Sequence, residues 1–240
     1  MLSRTDKQKI IKKYQRLMEP ACRQALIARY GADQTGFYWD KVVRAYSRIL
    51  EEMPDIGGEK NGMSHNLYQA AWTFALYEVL NRMMSREELV SLTQNILKPY
   101  MNLLRKVPGH FLIRRKLLRS LLVRRMEQYQ RKLKVHLHRD WHNTWGMEVY
   151  RDTDEGVHFG LRGCPIYDYC KGHNMMTLLP YLCNLDHLML NAMQLYLIRP
   201  TTCSNGDPVC DYIIVADNSP LVKKYPIVEV NGGLLLTQKG

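Results

Sequence analysis

The sequence predicts an α+β protein: an N-terminal helical part followed by an antiparallel sheet with helices packed on one face. Residues 1–135 repeat apolar positions at helical spacing between loop signals. After about His136 the texture changes to short aromatic and β-branched runs bounded by turn residues. Helices gathered first and strands gathered later mark this class. Two regions follow, a helical one over 1–135 and an α+β one over 136–240, expected to fold as one compact unit.

Each element has a local reason. Asp6 to about Tyr30 is periodic, Pro20 suits the first turn of a second helical piece, and Gly31 closes it. A helix follows over roughly Gly36–Met53. The run Pro54-Asp55-Ile56-Gly57-Gly58-Glu59-Lys60-Asn61-Gly62 reads as a loop. Ser64 is placed to cap a helix running to about Met84. Ser85 and Glu88 have capping-box spacing for the next helix, which is expected to end near Pro99. Pro108-Gly109 breaks the chain ahead of a basic helix. A hairpin then joins Trp141–Tyr150 to Val157–Leu161 through Asp152–Gly156. Ile166–His173 is a short helix, and Pro180 opens the helix that carries Cys183. Strands at Leu197–Thr202 and Cys210–Val215 flank an Asn205-Gly206 turn, and Val228–Leu235 forms a last hairpin through Asn231-Gly232.

Composition narrows the function. Apolar residues make up 46% of the chain, as in ordinary globular proteins. The charged start of the chain lacks the apolar core of a signal peptide. Polar residues interrupt the Leu- and Met-rich run 177–198, which argues against a membrane span. Six cysteines without a CxxC point to a reduced, cytoplasmic protein rather than a disulfide scaffold. The formal charge of +11 is concentrated: residues 103–135 hold eleven bases and one acid, Glu127. The leucines of that stretch recur at helical spacing, and no stacking aromatics are interleaved. A solvated helix face is therefore preferred to a nucleic-acid or membrane surface.

The stretch Cys183–Tyr212 gathers the most chemistry. Residues three and four apart share a helix face, so Cys183, Asp186, His187 and Leu190 lie together. A thiol, an acid and an imidazole on one face form a candidate site; the plainer reading is a buried cysteine and a surface pair. Arg199 follows amid apolar residues and needs an anionic partner if it points inward. Cys210 reads as core packing. No GxGxxG, P-loop, GxSxG or HExxH occurs. His136, His138 and His142 would face one side of a strand, where a solvated strand start outweighs a metal site. Cys164, Cys183 and Cys210 would make a thiolate metal site only if the fold brought them together.

These residues resemble the L-2-amino-thiazoline-4-carboxylic acid hydrolase family. The resemblance rests on Cys164 with Tyr167, Leu179-Pro180 leading to Cys183 and Asp186, then Arg199, Thr201, Thr202, Gly206-Asp207 and Cys210-Asp211-Tyr212. The loop Pro54-Asp55-Ile56-Gly57-Gly58 with Asn61 matches the family's Pro-x-Ile-Gly-Gly-x-x-Asn segment. The second half is also similar to 4-vinyl-reductase-type small-molecule-binding domains. The zinc ligands some of those use would fall at Thr202 and Arg199, which cannot serve.

The resemblance implies a hydrolase that opens a small cyclic amidine to a carbamoyl-cysteine, within cysteine metabolism and without a cofactor or metal. Asp186 or His187 would activate water as general base, or Cys183 or Cys164 would attack directly. Arg199 would clamp the substrate carboxylate, with Asn61, Thr201 and Tyr167 completing the binding site. The expected partner is a carboxylate-bearing small molecule, with neither nucleic acid nor membrane, and with self-association left open. A non-catalytic sensor using the same pocket is the competing reading.

Overall fold

In the computed structural model, residues 4–240 are described. The first three residues of the charged N-terminal run lie outside them. The chain divides into two compact units, residues 1–96 and 97–240.

The first unit is helical: α1 (Arg4–Tyr30), α2 (Thr35–Glu52), α3 (Ser64–Val79) and the start of α4 (Arg86–Leu104). Pro20 does not break α1. The buried stripe Ile10, Tyr14, Met18, Cys22 and Leu26 runs straight past it, and burying that stripe outweighs one lost backbone bond. α3 is apolar nearly all round and correspondingly buried. Trp72 stacks between Tyr46 at 3.9 Å and Trp39 at 5.3 Å. Ser64 is not the cap expected of it: its hydroxyl donates to the Gly58 carbonyl. α3 stops at Val79, because Asn81 and Arg82 take positive φ. The Ser85–Glu88 capping box forms reciprocally, at 2.7 and 3.2 Å. α4 continues through Pro99 instead of ending there.

The second unit holds α5 (Gly109–Arg114), α6 (Lys116–Leu137), β1 (Gly146–Tyr150), β2 (Gly156–Arg162), α7 (Pro165–Gly172), α8 (Leu179–Ala192), β3 (Leu195–Ile198), β4 (Cys210–Ala216), α9 (Pro220–Lys224), β5 (Ile227–Val230) and β6 (Leu234–Thr237). The main sheet is antiparallel in the order β1-β2-β4-β3, and β5 and β6 pair separately. The architecture is α+β, as the sequence predicts. The unit begins well before residue 136, because Ile113 of α5 and Val123 of α6 pack into the sheet's own core with Val157 and Leu195.

Register decides which side chains meet. Phe159 pairs with Tyr212 and Leu161 with Cys210. Alternation then puts Val157, Phe159, Leu161, Cys210, Tyr212 and Ile214 on the face that helices cover. His158 and Asp211 fall on the other. Gly156 has to be glycine, since a Cβ there would stand 2.1 Å from the Ile214 carbonyl oxygen. β3 ends at Ile198, short of the expected Thr202, because Pro200 has no N–H to continue a ladder.

The side of α6 turned from the sheet carries Leu117, 81% exposed, and Leu121, 55% exposed, among Arg124, Arg125, Arg131 and Lys132. Glu127 on this helix is bound by Arg151 at 2.7 Å. No described helix is long and apolar enough to cross a membrane.

Candidate functional site

Arg199 is the organising residue of the site. It follows β3 directly and has no accessible surface. Its backbone is tied to β6: Thr237 Oγ1 accepts from its N–H at 2.7 Å, and its carbonyl accepts from the Thr237 N–H at 3.1 Å. The guanidinium spans to α8. Nη1 donates to the Cys183 carbonyl at 2.8 Å and approaches Asp186 Oδ2 at 3.4 Å, while Nη2 donates to the Leu235 carbonyl at 2.9 Å. A buried cation needs such partners. All three are protein groups, so this arginine ties α8 to β6, while its buried Nε has no hydrogen-bonding partner among the described residues.

Asp186 is the group that faces open space. Oδ2 accepts from the Tyr212 hydroxyl at 2.8 Å. Oδ1 has no hydrogen-bonding partner among the described residues. Desolvation raises the Asp186 pKa, opposed by Arg199 and then Tyr212. Yet 39% of its side chain is accessible. Asp186 is thus desolvated by its neighbours yet partly reachable by water, and we take this half-open corner of the fold as the candidate recess. Cys164, Cys183, Cys203 and Tyr212 are likewise partly accessible.

The other expected residues sort clearly. Cys183 shares the Asp186 and Arg199 neighbourhood, but burial drives its thiol well up despite the nearby guanidinium. Cys164 stands at the N-terminus of α7. The amides of Tyr167 and Ile166 and the Trp145 indole favour its thiolate, but burial outweighs them and pushes it up to about 11. His187 is buried, and desolvation followed by the Arg199 charge lowers it to about 3. It is a neutral imidazole, and its Nε2 has no hydrogen-bonding partner among the described residues. Tyr167, in the first turn of α7, lies 5.8 Å beneath the Lys171 ammonium. Thr201 serves through its carbonyl, which accepts from the Asp211 N–H at 3.1 Å. Asn61 belongs to the first unit, where its side chain closes its own loop by bonds to the Ile56 carbonyl at 2.6 Å and the Met63 N–H at 3.0 Å.

Two features escaped the sequence reading. Tyr212 holds Asp186, a contact signalled only by β4 alternation. Cys210 is more than packing: its sulfur lies 3.2 Å from both Thr202 Oγ1 and the Cys203 N–H. On the opposite sheet face, His158 Nδ1 meets Asp152 at 2.7 Å and Nε2 meets Asp211 at 2.7 Å. Desolvation opposes its protonation, but the two carboxylates win and raise its pKa. His136 is helical rather than on a strand; it bonds Asp140 at 2.7 Å and stacks on Trp141. Among the described residues no group of three His, Cys, Asp or Glu has metal-holding geometry.

Fold and recess together define an α+β protein with an acid and several thiols gathered around one buried arginine. The chain belongs to the L-2-amino-thiazoline-4-carboxylic acid hydrolase family, whose model matches residues 65–214. No curated protein and no solved structure gives a significant match. The matched segment holds Cys164, Cys183, Asp186, Arg199, Cys210 and Tyr212, ends before Leu235 and Thr237 of β6, and begins after the Pro54–Asn61 loop.

Proposed function

We propose that the chain is a hydrolase that adds water across the amidine carbon of a small ring, L-2-amino-thiazoline-4-carboxylate or a close relative, and releases a carbamoyl-cysteine. The observation that supports this best is Asp186, with one oxygen held by Tyr212 and Arg199 and the other open to the recess. An amidine is basic, and its protonated form presents N–H groups that a carboxylate matches. Asp186 then has two tasks. It binds the amidinium, and it shuttles the proton that the leaving ring atom needs. Its raised pKa suits proton exchange better than an ordinary carboxylate does. Arg199 acts as a positioning residue, fixing α8 and aiming Asp186.

The test is incubation of the purified protein with L-2-amino-thiazoline-4-carboxylate and related cyclic amidines, followed by mass spectrometry for gain of one water. Turnover in the wild type that vanishes in Asp186→Asn supports the reading. Binding without turnover across the panel would replace it with a sensor.

A further inference from the structure

We propose that Cys210 is the nucleophile of this site and that the Thr202–Asp207 loop is built to hold its thiolate. The proposal rests on the hydrolase reading above.

The loop is a tight turn organised from within. Asp207 Oδ2 accepts from the Thr202 N–H at 3.0 Å and from Asn205 Nδ2 at 3.4 Å. The Thr202 carbonyl accepts from Asn205 N at 2.8 Å and Asp207 N at 3.2 Å, and Gly206 closes the turn at φ 90°. These bonds leave the Thr202 hydroxyl and the Cys203 N–H facing one way, each 3.2 Å from Cys210 Sγ; the N–H donates to the sulfur, and the hydroxyl is free to donate once the thiol is ionised. A cysteine that only fills space has no use for two donors, and a thiolate does. The neighbouring Cys203 thiol is the largest influence lowering Cys210 relative to an ordinary thiol, ahead of burial, which raises it. Of the pair, Cys210 loses its proton first. Arg199 contributes in the same direction.

Placement agrees. Cys210 and Tyr212 lie on one face of β4, two residues apart, and the Tyr212 hydroxyl reaches Asp186. Tyr212 thus links the strand face that carries Cys210 to the Asp186 carboxylate. Cys210 itself is 7% exposed, so a ligand meets it beside the more accessible Cys164, Cys183 and Cys203.

The reaction balances without a co-reactant other than water. The Cys210 sulfur bonds to C2 of the amidinium, giving a neutral tetrahedral adduct. The C2–S ring bond breaks as the Asp186 carboxylate relays an N–H proton of the adduct to the departing sulfur. The enzyme now carries a neutral S-linked isothiourea that retains every heavy atom of the substrate. Water adds to the same carbon, the Cys210 thiolate leaves, and Asp186 takes the one proton released, yielding the N-carbamoyl product.

Two measurements test this. Iodoacetamide labelling with peptide mapping, run as a function of pH, is expected to modify Cys210 ahead of the other five cysteines. Thr202→Val, which keeps the shape and removes one donor, should slow that labelling about tenfold or more, with thermal unfolding confirming the fold. Acid-quenched turnover mixtures should show a protein mass raised by the whole substrate, located on Cys210 and absent in Cys210→Ser. First labelling at another cysteine, or wild-type turnover in Cys210→Ser, overturns the proposal while leaving the hydrolase reading intact. If the wild type opens no cyclic amidine, the hydrolase reading falls with the role assigned to Cys210 in it, and labelling alone still decides the thiolate.

Discussion

The Tyr212 hydroxyl stands 2.8 Å from Oδ2 of Asp186, the same oxygen that Arg199 approaches. One carboxylate oxygen is thereby committed to the protein and the other left to the recess. Tyr212→Phe removes one donor while keeping the ring stacked on Phe159 at 5.0 Å. Losing a bond to a charged group is worth about 1.5–3 kcal/mol. Turnover should fall about tenfold or more, and the acid limb of the kcat profile should move to higher pH. An unchanged profile would mean that Asp186 does not titrate in the reaction.

Arg199→Ala should act on folding before catalysis. The side chain is wholly buried and bridges the Cys183 carbonyl, Asp186 and the Leu235 carbonyl. Breaking a buried charge network costs about 3–5 kcal/mol. Urea unfolding should show that loss. A variant that unfolds like the wild type but has a raised KM would restore the clamp role that the sequence suggested for this arginine.

Two histidines should bend the stability curve in opposite directions. His158 is raised above its ordinary 6.5 by Asp152 and Asp211. Its contribution is complete below about pH 6.5 and is lost as pH climbs through the folded value. His187 is lowered from 6.5 to about 3. The unfolded chain binds that proton first, so stability falls as pH drops below 6.5, by up to about 1.4 kcal/mol per unit. His158→Gln should flatten the alkaline side of a melting-temperature profile, and His187→Gln the acid side. Parallel profiles in all three proteins would contradict both assignments.

Gly156→Ala tests the sheet register. The added methyl has to displace the Ile214 carbonyl, which is backbone and cannot swing aside. Overpacking of this kind costs about 1–3 kcal/mol. A melting temperature equal to the wild type's would show that β2 and β4 pair differently there.

Much of this fold was legible because its signals are local. The Ser85–Glu88 box, Pro180 at the head of α8 and the Asn231-Gly232 turn depend on residues near in sequence. The misreadings came where distant contacts decide. Pro20 and Pro99 are helix breakers locally, yet continuous burial keeps α1 whole and α4 runs on through its proline. α5 and α6 look like part of a helical half until Ile113 and Val123 are seen in the sheet's core. The site behaved alike. Helical spacing correctly grouped Cys183, Asp186 and His187 near Arg199. It could not show that Arg199 finds its partners on α8 and β6, which leaves Asp186 as the group that is open.

The outer side of α6 concentrates positive charge, and the field of such a stripe reaches about 8 Å at physiological ionic strength. A protonated cyclic amidine approaching that field is repelled unless it brings its own negative charge. The ring carboxylate of the proposed substrate makes the molecule a zwitterion, neutral overall and free to enter. A rival amidine without that group would be slowed in dilute buffer and helped by added salt. The helix would thus sort visitors by net charge before the recess has touched them.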